Sequence, residues 1–482
     1  MLWMGPMRTI ETSRTFRVTA AAAAREANGS QASKATLSTT PRLEKPAASA
    51  RRAHWMTSSP LRPGTVVGRP IPIFIAAHEP VAGTPSTNQA WPRGYLCTVS
   101  GMASGSAFEL APDDRELLER AEEVGRGLSS LAADGQPGRL NRELITALAD
   151  AGLVQRLFPP GTEVSATELC LIRQGLARTS THAETAFAMQ GLGAYPILQS
   201  GTPEQTGRWI PEIAAGRAVP GFALTEPAAG SDAAHIGLAA EADGPGYRLT
   251  GQKAYISNAP EADLYTVFAR TGPDPGASGI TAFLVPGDSP GLSGRRIEML
   301  GAHPIGALDF EGVPADRSQV IGEPGGGFRV AMRALDLFRP SVGAYALGIA
   351  EAALEMAVAH ATTRQAFGQM LAGFQGVSHQ LANMAVRIDA SRLLIYQAAA
   401  AHDRGDHARL TGMAAAAKLV ATETAQFVVD AAVQIHGARG LEASHPLSHM
   451  YVEVRAPRIY EGASEIQRNI ISRELLRGRW VR

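Results

Sequence analysis

At 482 residues, 45% apolar and 19% charged, with 45 basic against 45 acidic side chains, the chain has an ordinary globular composition and room for roughly two to four domains. Residues 1–101 carry twelve Arg or Lys against four Glu and no Asp, about +8, leaving about −8 on the rest; the basic residues are scattered with no aromatic platform between them, which argues against nucleic-acid binding. Only Cys97 and Cys170 occur, which excludes a disulfide framework and fits a reducing compartment, and no apolar run reaches the roughly 18 residues of a membrane-spanning helix.

Residues 1–105 are rich in Ala, Ser, Thr, Pro and Arg, show no sustained period, and hold one apolar patch, Ile71 to Ala77. Such a segment buries too little to offset its ordering entropy. It is expected to be a disordered extension translated from a misplaced start, with Met102 the true start, despite a superficial likeness to an Arg-rich, acid-poor transit peptide. Lysine occurs only at Lys34, Lys45, Lys253 and Lys418, a bias toward Arg that suggests a GC-rich bacterial coding sequence.

Order is expected from Pro112, where proline and two acids open a first helical turn. Residues 112–222 read as an N-terminal helical domain with short loops; Thr202-Pro203-Glu204-Gln205 carries a capping residue, a proline and a Gln at the right spacing for a further helix start. Across 223–327 the period changes. Tyr247–Leu249, Leu264–Ala269 and Ile280–Val285 are strand-like runs divided by Gly and Pro clusters, predicting a compact antiparallel, barrel-like middle domain that ends near Val320 and Ile321. From Phe328, three-four spacing returns in Leu381, Met384, Ile388, Ile395 and again in Met413, Ala417, Val420, Phe427, so 328–482 should be a helical bundle. The predicted class is α+β, mostly α.

Five stretches are not explained by packing. In Arg458-Ile459-Tyr460-Glu461-Gly462-Ala463-Ser464, Ser464 and Gln467 read as a capping box for a helix through Ile470 and Leu475. That leaves Glu461 on a compact turn in partly apolar surroundings, which raise a carboxylate pKa and suit a base for a carbon-bound proton; a solvated loop Glu is the plain alternative. Phe222 to Asp232 (Phe-Ala-Leu-Thr-Glu-Pro-Ala-Ala-Gly-Ser-Asp) offers hydroxyls and exposed N–H groups suited to a planar, hydrogen-bonding ring, or is an ordinary loop. Gly251 to Ala259 puts Tyr255 and Ser257 on one strand face, where Tyr255 could equally be core. Arg364-Gln365-Ala366-Phe367-Gly368 could grip a pyrophosphate or satisfy the last carbonyls of a helix. Gln434-Ile435-His436-Gly437-Ala438-Arg439-Gly440 exposes backbone through its glycines. No Gly-x-Gly-x-x-Gly opens a helix after a strand, and no ligand cluster has metal spacing.

In chain order, with Tyr460-Glu461-Gly462 at the end, these stretches resemble the acyl-CoA dehydrogenase family over about residues 112 to 478, with Leu224-Thr225-Glu226-Pro227-x-x-Gly230-Ser231-Asp232 highly specific to it. The resemblance implies a helical domain, a β-barrel-like middle domain and a four-helix bundle holding FAD. It implies α,β-dehydrogenation of an acyl-CoA thioester to the trans-2-enoyl-CoA, the α proton going to a carboxylate and the β hydrogen as hydride to flavin N5. Glu461 would be the base, with its N–H on the thioester carbonyl; some relatives place the base where Phe338 stands, which cannot ionise. Thr225, Tyr255 and Ser257 would meet the flavin ring. Ser231, Tyr460 and Gly462 would face the thioester or its arm, with Asp336 and Arg339 on the pantetheine and adenine side of CoA. Arg364, Phe367, Gln434 and Gly437 would hold the FAD pyrophosphate and adenosine across a subunit interface.

The resemblance further implies a homotetramer or homodimer, electron-transfer flavoprotein as acceptor, and a cytoplasmic location, or the mitochondrial matrix in a eukaryote. Three positions depart from the family pattern: Tyr255 for a common Trp, Ala463 for Thr, and Gly437-Ala438-Arg439-Gly440-Leu441 for Gly-Gly-x-Gly-Tyr. A flavin oxidase or monooxygenase, a dehydrogenase of carrier-protein-bound acyl groups, and an inert flavin-bearing scaffold are the rival readings.

Overall fold

A computed structural model describes residues 110–480 apart from 162 and 275; the expectations for residues 1–105, including the start at Met102, lie outside the described residues. The first part is helical: α1 (Pro112–Gly127), α2 (Ser129–Ala133), α3 (Arg142–Asp150), α4 (Ala166–Thr179), α5 (Thr181–Ser200) and α6 (Pro203–Ala214). Their starts follow local chemistry. Pro112 opens α1 with Asp113 and Asp114 in its first turn, Asn141, Ser165 and Ser180 accept from backbone N–H groups, and Thr202 with Gln205 closes the capping box read from the sequence.

Eight strands follow: β1 (Pro220–Ala223), β2 (Ala239–Asp243), β3 (Gly246–Ser257), β4 (Leu264–Arg270), β5 (Ile280–Pro286), β6 (Leu292–Arg296), β7 (Ile305–Ala315) and β8 (Val320–Ile321). They form one sheet in the order β6-β7-β3-β2-β4-β5-β8, with β1 added alongside β4. The barrel-like expectation needs correction, since the sheet is not closed. It is also not wholly antiparallel, because β1 runs parallel to β4, and β2 meets β4 in parallel at Ala239 and Arg270. β4 and β5 were legible because they are buried on both faces and therefore read as unbroken apolar runs. The largely exposed β6 carries no such signal.

The C-terminal part holds α7 (Gly327–Thr363), the short hairpin β9 (Gln365–Ala366) and β10 (Gln369–Met370), α8 (Gln375–Asp403), α9 (His407–His436), α10 (Pro446–Glu453) and α11 (Ser464–Leu476). A window of α7 is long and apolar enough to cross a membrane by length and composition, yet 67% of it is buried inside the structure, because α7 is the central helix of the bundle. One hydrophobic core runs through both helical parts and reaches the sheet, drawing Leu144, Phe187, Leu337, Tyr345, Ile395 and Val428 together. A second core lies within the sheet around Leu249, Tyr265, Phe283 and Phe310.

The start of α11 differs from the expected capping box. Ala463 is its N-cap, without a side-chain hydrogen bond. The Ser464 hydroxyl donates to Glu423 Oε1 at 2.7 Å, and Gln467 Nε2 donates to the carbonyls of Glu461 at 3.1 Å and Gly462 at 2.8 Å. The turn before the helix folds back over its first residues, so its own carbonyls claim the Gln.

Candidate active site

Glu461 sits at the centre of that turn. It has φ of 53° and Gly462 has φ of 95°, two successive left-handed residues, a conformation that costs a non-glycine residue about 1–2 kcal/mol. A Cβ on Gly462 would also lie 2.6 Å from Gln467 Nε2, so any other residue there displaces the amide that bridges the turn. The turn is held from three sides. Arg339 Nε donates to the Glu461 carbonyl at 3.3 Å, Lys418 Nζ donates to the Gly462 carbonyl at 2.7 Å, and the buried Gln467 bridges both carbonyls. With its backbone so fixed, the Glu461 side chain is left free: its Oε2 is buried and has no hydrogen-bond partner.

The surroundings of that oxygen are less apolar than the sequence suggested. Burial raises the Glu461 pKa above the ordinary carboxylate value, and Arg173, Lys418 and Arg339 oppose the rise in that order. Arg173, 2% exposed, comes from α4 and pairs with the buried Glu184 of α5. Its Nη1 donates to Ser341 Oγ at 2.7 Å, and that hydroxyl donates to the Phe338 carbonyl at 2.7 Å. Phe338 is itself buried against α5, where a Cβ on Gly191 would lie 2.8 Å from the ring. Burial pushes the Lys418 ammonium down to about 8, with the charge of Glu461 the first influence against it.

Asp336 and Arg339, expected along the CoA arm, face inward. Arg339 is 4% exposed and its Nη1 donates to Asp336 Oδ1 at 3.1 Å, while Asp336 Oδ2 accepts from Thr411 Oγ1 at 2.8 Å. Arg339 thus lies between Asp336 and the Glu461 loop, whose carbonyl its Nε reaches. Tyr460 beside it is 37% exposed.

The Leu224 to Asp232 loop is tied to β3 by a residue whose role the sequence did not reveal. Glu226 is buried, meets the fully buried Lys253 at 2.7 Å, and accepts from the N–H groups of Gly237 at 2.6 Å and Leu238 at 2.9 Å. Lys253 also donates to the Leu224 carbonyl at 3.0 Å, and the Ala254 N–H donates to the Thr225 carbonyl at 2.9 Å. Thr225 and Ser257 are half-buried and Ser231 is exposed. The pairing of β3 with β7 shifts register between Lys253 and Ile256. At that irregularity Tyr255 takes φ of 57° and stands 59% exposed, so it is not core. An exposed ring near two hydroxyls, on a loop and strand locked by a buried ion pair, fits a planar hydrogen-bonding cofactor such as the FAD ring.

Arg364, Phe367, Gln434 and Gly437 lie elsewhere. They gather where α7 and α9 end, His360 of α7 stacking on His436 of α9 with ring centroids 4.3 Å apart. Phe367 is 95% exposed with φ of 50°, and Gly437 has φ of 63°. Gln434 is sixteen residues beyond Lys418 on one helix, about 24 Å at 1.5 Å per residue. Within one chain this end does not reach the Glu461 turn. Sequence reasoning missed Arg173 and Lys418, whose nearness to Glu461 depends on packing alone, and it gave Gln467 a capping role in place of its hold on the turn; the one available signal was the scarcity of lysine, since both lysines of the described residues are wholly buried.

The acyl-CoA dehydrogenase N-terminal, middle and C-terminal domain families match residues 114–217, 221–313 and 325–476. Among characterised relatives, the cyclohexane-1-carbonyl-CoA dehydrogenase of Geobacter metallireducens is 37% identical over 381 residues, covering 77% of this chain and 99% of that protein. The butyryl-CoA dehydrogenase structure from Megasphaera elsdenii superposes with a TM-score of 0.72 at 33% identity, over 77% of this chain and all of that one. A chain from a structural study of the electron transferring flavoprotein of Acidaminococcus fermentans superposes with a TM-score of 0.73 at 32% identity, again over 77% and 100%. With matching domains spanning nearly all the described residues, the chain belongs to the acyl-CoA dehydrogenase family.

Proposed function

We propose that this oxidoreductase removes hydrogen from Cα and Cβ of an acyl-CoA thioester to give the trans-2-enoyl-CoA, with Glu461 as the base for the α proton. The observation that carries this reading is the buried, unpartnered Oε2 of Glu461 on a turn whose two carbonyls are held by Arg339, Lys418 and Gln467. A carboxylate without an internal donor has a lone pair to offer, and burial raises its basicity toward what a weakly acidic carbon requires. The three cations around it, Arg173, Lys418 and Arg339, oppose that rise and favour the proton-accepting form.

The Glu461 N–H makes no hydrogen bond within the described residues. Placed on the thioester carbonyl, it stabilises the enolate-like charge that forms as the α proton leaves, which makes that proton accessible to a carboxylate. Tyr460, Gly462 and Ser231 border the thioester and its arm, and Arg339 with Asp336 acts on the base through the turn. FAD, when bound with its ring against Thr225, Tyr255 and Ser257 and its adenosine end against Arg364, Phe367, Gln434 and Gly437 of a second copy, supplies the two-electron acceptor for the β hydrogen. The separation of those two residue groups in one chain supports a homodimer or homotetramer. The acyl-CoA dehydrogenase family and the similarity to a chain studied with an electron transferring flavoprotein support such a flavoprotein as the onward acceptor.

The test is an anaerobic visible spectrum of the FAD-loaded protein titrated with short, branched, cyclic and long acyl-CoAs. Bleaching of the oxidised flavin band by one class is expected and identifies the acyl group. A band unmoved by every thioester refutes the reading.

A further inference from the structure

We propose that Lys418 is a positioning residue for the base: its buried ammonium fixes the Gly462 carbonyl, and with it the left-handed turn, while its charge favours the proton-accepting form of the Glu461 carboxylate on that turn. This rests on Glu461 being the base. The two lysines of the described residues are both wholly buried, but they are matched differently. Lys253 has a carboxylate at 2.7 Å, Glu226. Lys418 touches none and donates to a main-chain carbonyl at 2.7 Å. A buried ammonium is costly unless a counter-charge faces it.

The charged groups that act most strongly on Lys418 come from α7, from its own helix, and from the Glu461 turn with α11. Arg339 of α7 is a like charge; Glu423 stands on its own helix, α9; Glu461 and Glu465 come from the turn and from α11. Glu423 is already engaged by Arg458 at 2.9 Å and by the Ser464 hydroxyl at 2.7 Å, and Glu465 is exposed beside Arg468 at 3.9 Å. Glu461, whose Oε2 has no partner, is therefore the counter-charge left to Lys418. One side chain thus reaches both the conformation and the charge of the base.

A consequence in pH follows. Lys418, pushed by burial to about 8, carries its charge below that pH and loses it above. Above that pH a neutral amine replaces the charge-assisted bond to the Gly462 carbonyl and the turn loosens, so the wild-type rate of flavin bleaching should fall on an alkaline limb near pH 8, and on an acid limb where Glu461 takes up a proton. In Lys418→Met the acid limb moves to higher pH, because one of the three opposing cations is gone, the alkaline limb disappears, and the rate at neutral pH falls by roughly tenfold to a hundredfold as the turn loosens. Lys418→Arg restores the acid limb and carries the alkaline limb well above pH 8, since a guanidinium stays charged.

The experiment is the pH profile of anaerobic bleaching for wild type, K418M, K418R and E461Q, each loaded with FAD and checked for FAD content and thermal midpoint. Limbs in K418M and K418R that superimpose on wild type overturn the proposal. If K418M does not fold, an alkaline limb that stays near pH 8 in K418R overturns it alone. E461Q separates the two readings: wild-type turnover in that variant removes the base assignment, whereas an inactive E461Q with unchanged K418M and K418R limbs removes only the role of Lys418.

Discussion

Replacing Glu461 by Gln tests the site at its narrowest point. The substitution keeps the shape of the side chain and leaves untouched the bonds from Arg339, Gln467 and Lys418, all of which go to main-chain carbonyls of the turn. The lost oxygen had no hydrogen bond to forfeit. The fold should persist with its turn bonds intact, but at a lower unfolding midpoint, because the buried Lys418 ammonium loses its counter-charge. An amide cannot accept the α proton, and loss of a positioned general base removes about 10²–10⁴ in rate, which is about 3–5 kcal/mol in activation free energy. Burial raises the Glu461 pKa, so the wild-type rate falls as pH drops through that raised value, and the Gln variant should show no acid limb. Stopped-flow bleaching under anaerobic conditions, followed from pH 5 to 9, reads both quantities. A variant within tenfold of wild type that keeps the acid limb would refute the assignment of Glu461.

Three further perturbations follow from the packing. Glu226→Ala strands the fully buried Lys253 ammonium and frees the Leu224 to Asp232 loop, so it should cost about 3–5 kcal/mol and lower FAD affinity, read by denaturant unfolding and flavin fluorescence; an unchanged midpoint and affinity would contradict the clamp. Gly191→Ala places a Cβ 2.8 Å from the Phe338 ring and should destabilise by about 1–3 kcal/mol, whereas a neutral result in thermal unfolding would mean that α5 and α7 separate freely. Glu453 is held down to about 2: burial pushes it up, but the His303 hydrogen bond at 2.7 Å, the charges of His303 and His449, and Tyr345 outweigh burial. Its folded value is depressed, so its contribution, about 2–3 kcal/mol, is complete above the ordinary carboxylate range and disappears as pH falls toward about 2. Glu453→Gln should therefore melt below wild type at pH 7, with the gap clearly narrower at pH 3 and vanishing toward about pH 2; a gap constant with pH would exclude this linkage.

The order of parts was legible because each carries its own local period. Three-four spacing marked α8 and α9, unbroken apolar runs marked β4 and β5, and Thr202 with Gln205 marked α6. The same kind of local reasoning failed at Ser464 and Gln467, where a capping pattern was present but the Glu461 turn took the Gln for its own carbonyls. Tyr255 was ambiguous for a related reason, since a register shift between β3 and β7 decides which way its ring points, and that shift depends on a strand about fifty residues further along the chain.

The sequence by itself determined the family motif, the turn bearing Glu461 with its glycine, and the helical, β, helical order, because these depend on residues adjacent in the chain. Tertiary structure alone decided the electrostatics of the base. Arg173 from α4, Arg339 from α7 and Lys418 from α9 are separated in sequence by up to 245 positions, and only folding brings their charges around one buried carboxylate. A carboxylate's pKa is set by what surrounds it within a few ångströms, and no spacing along the chain encodes that distance.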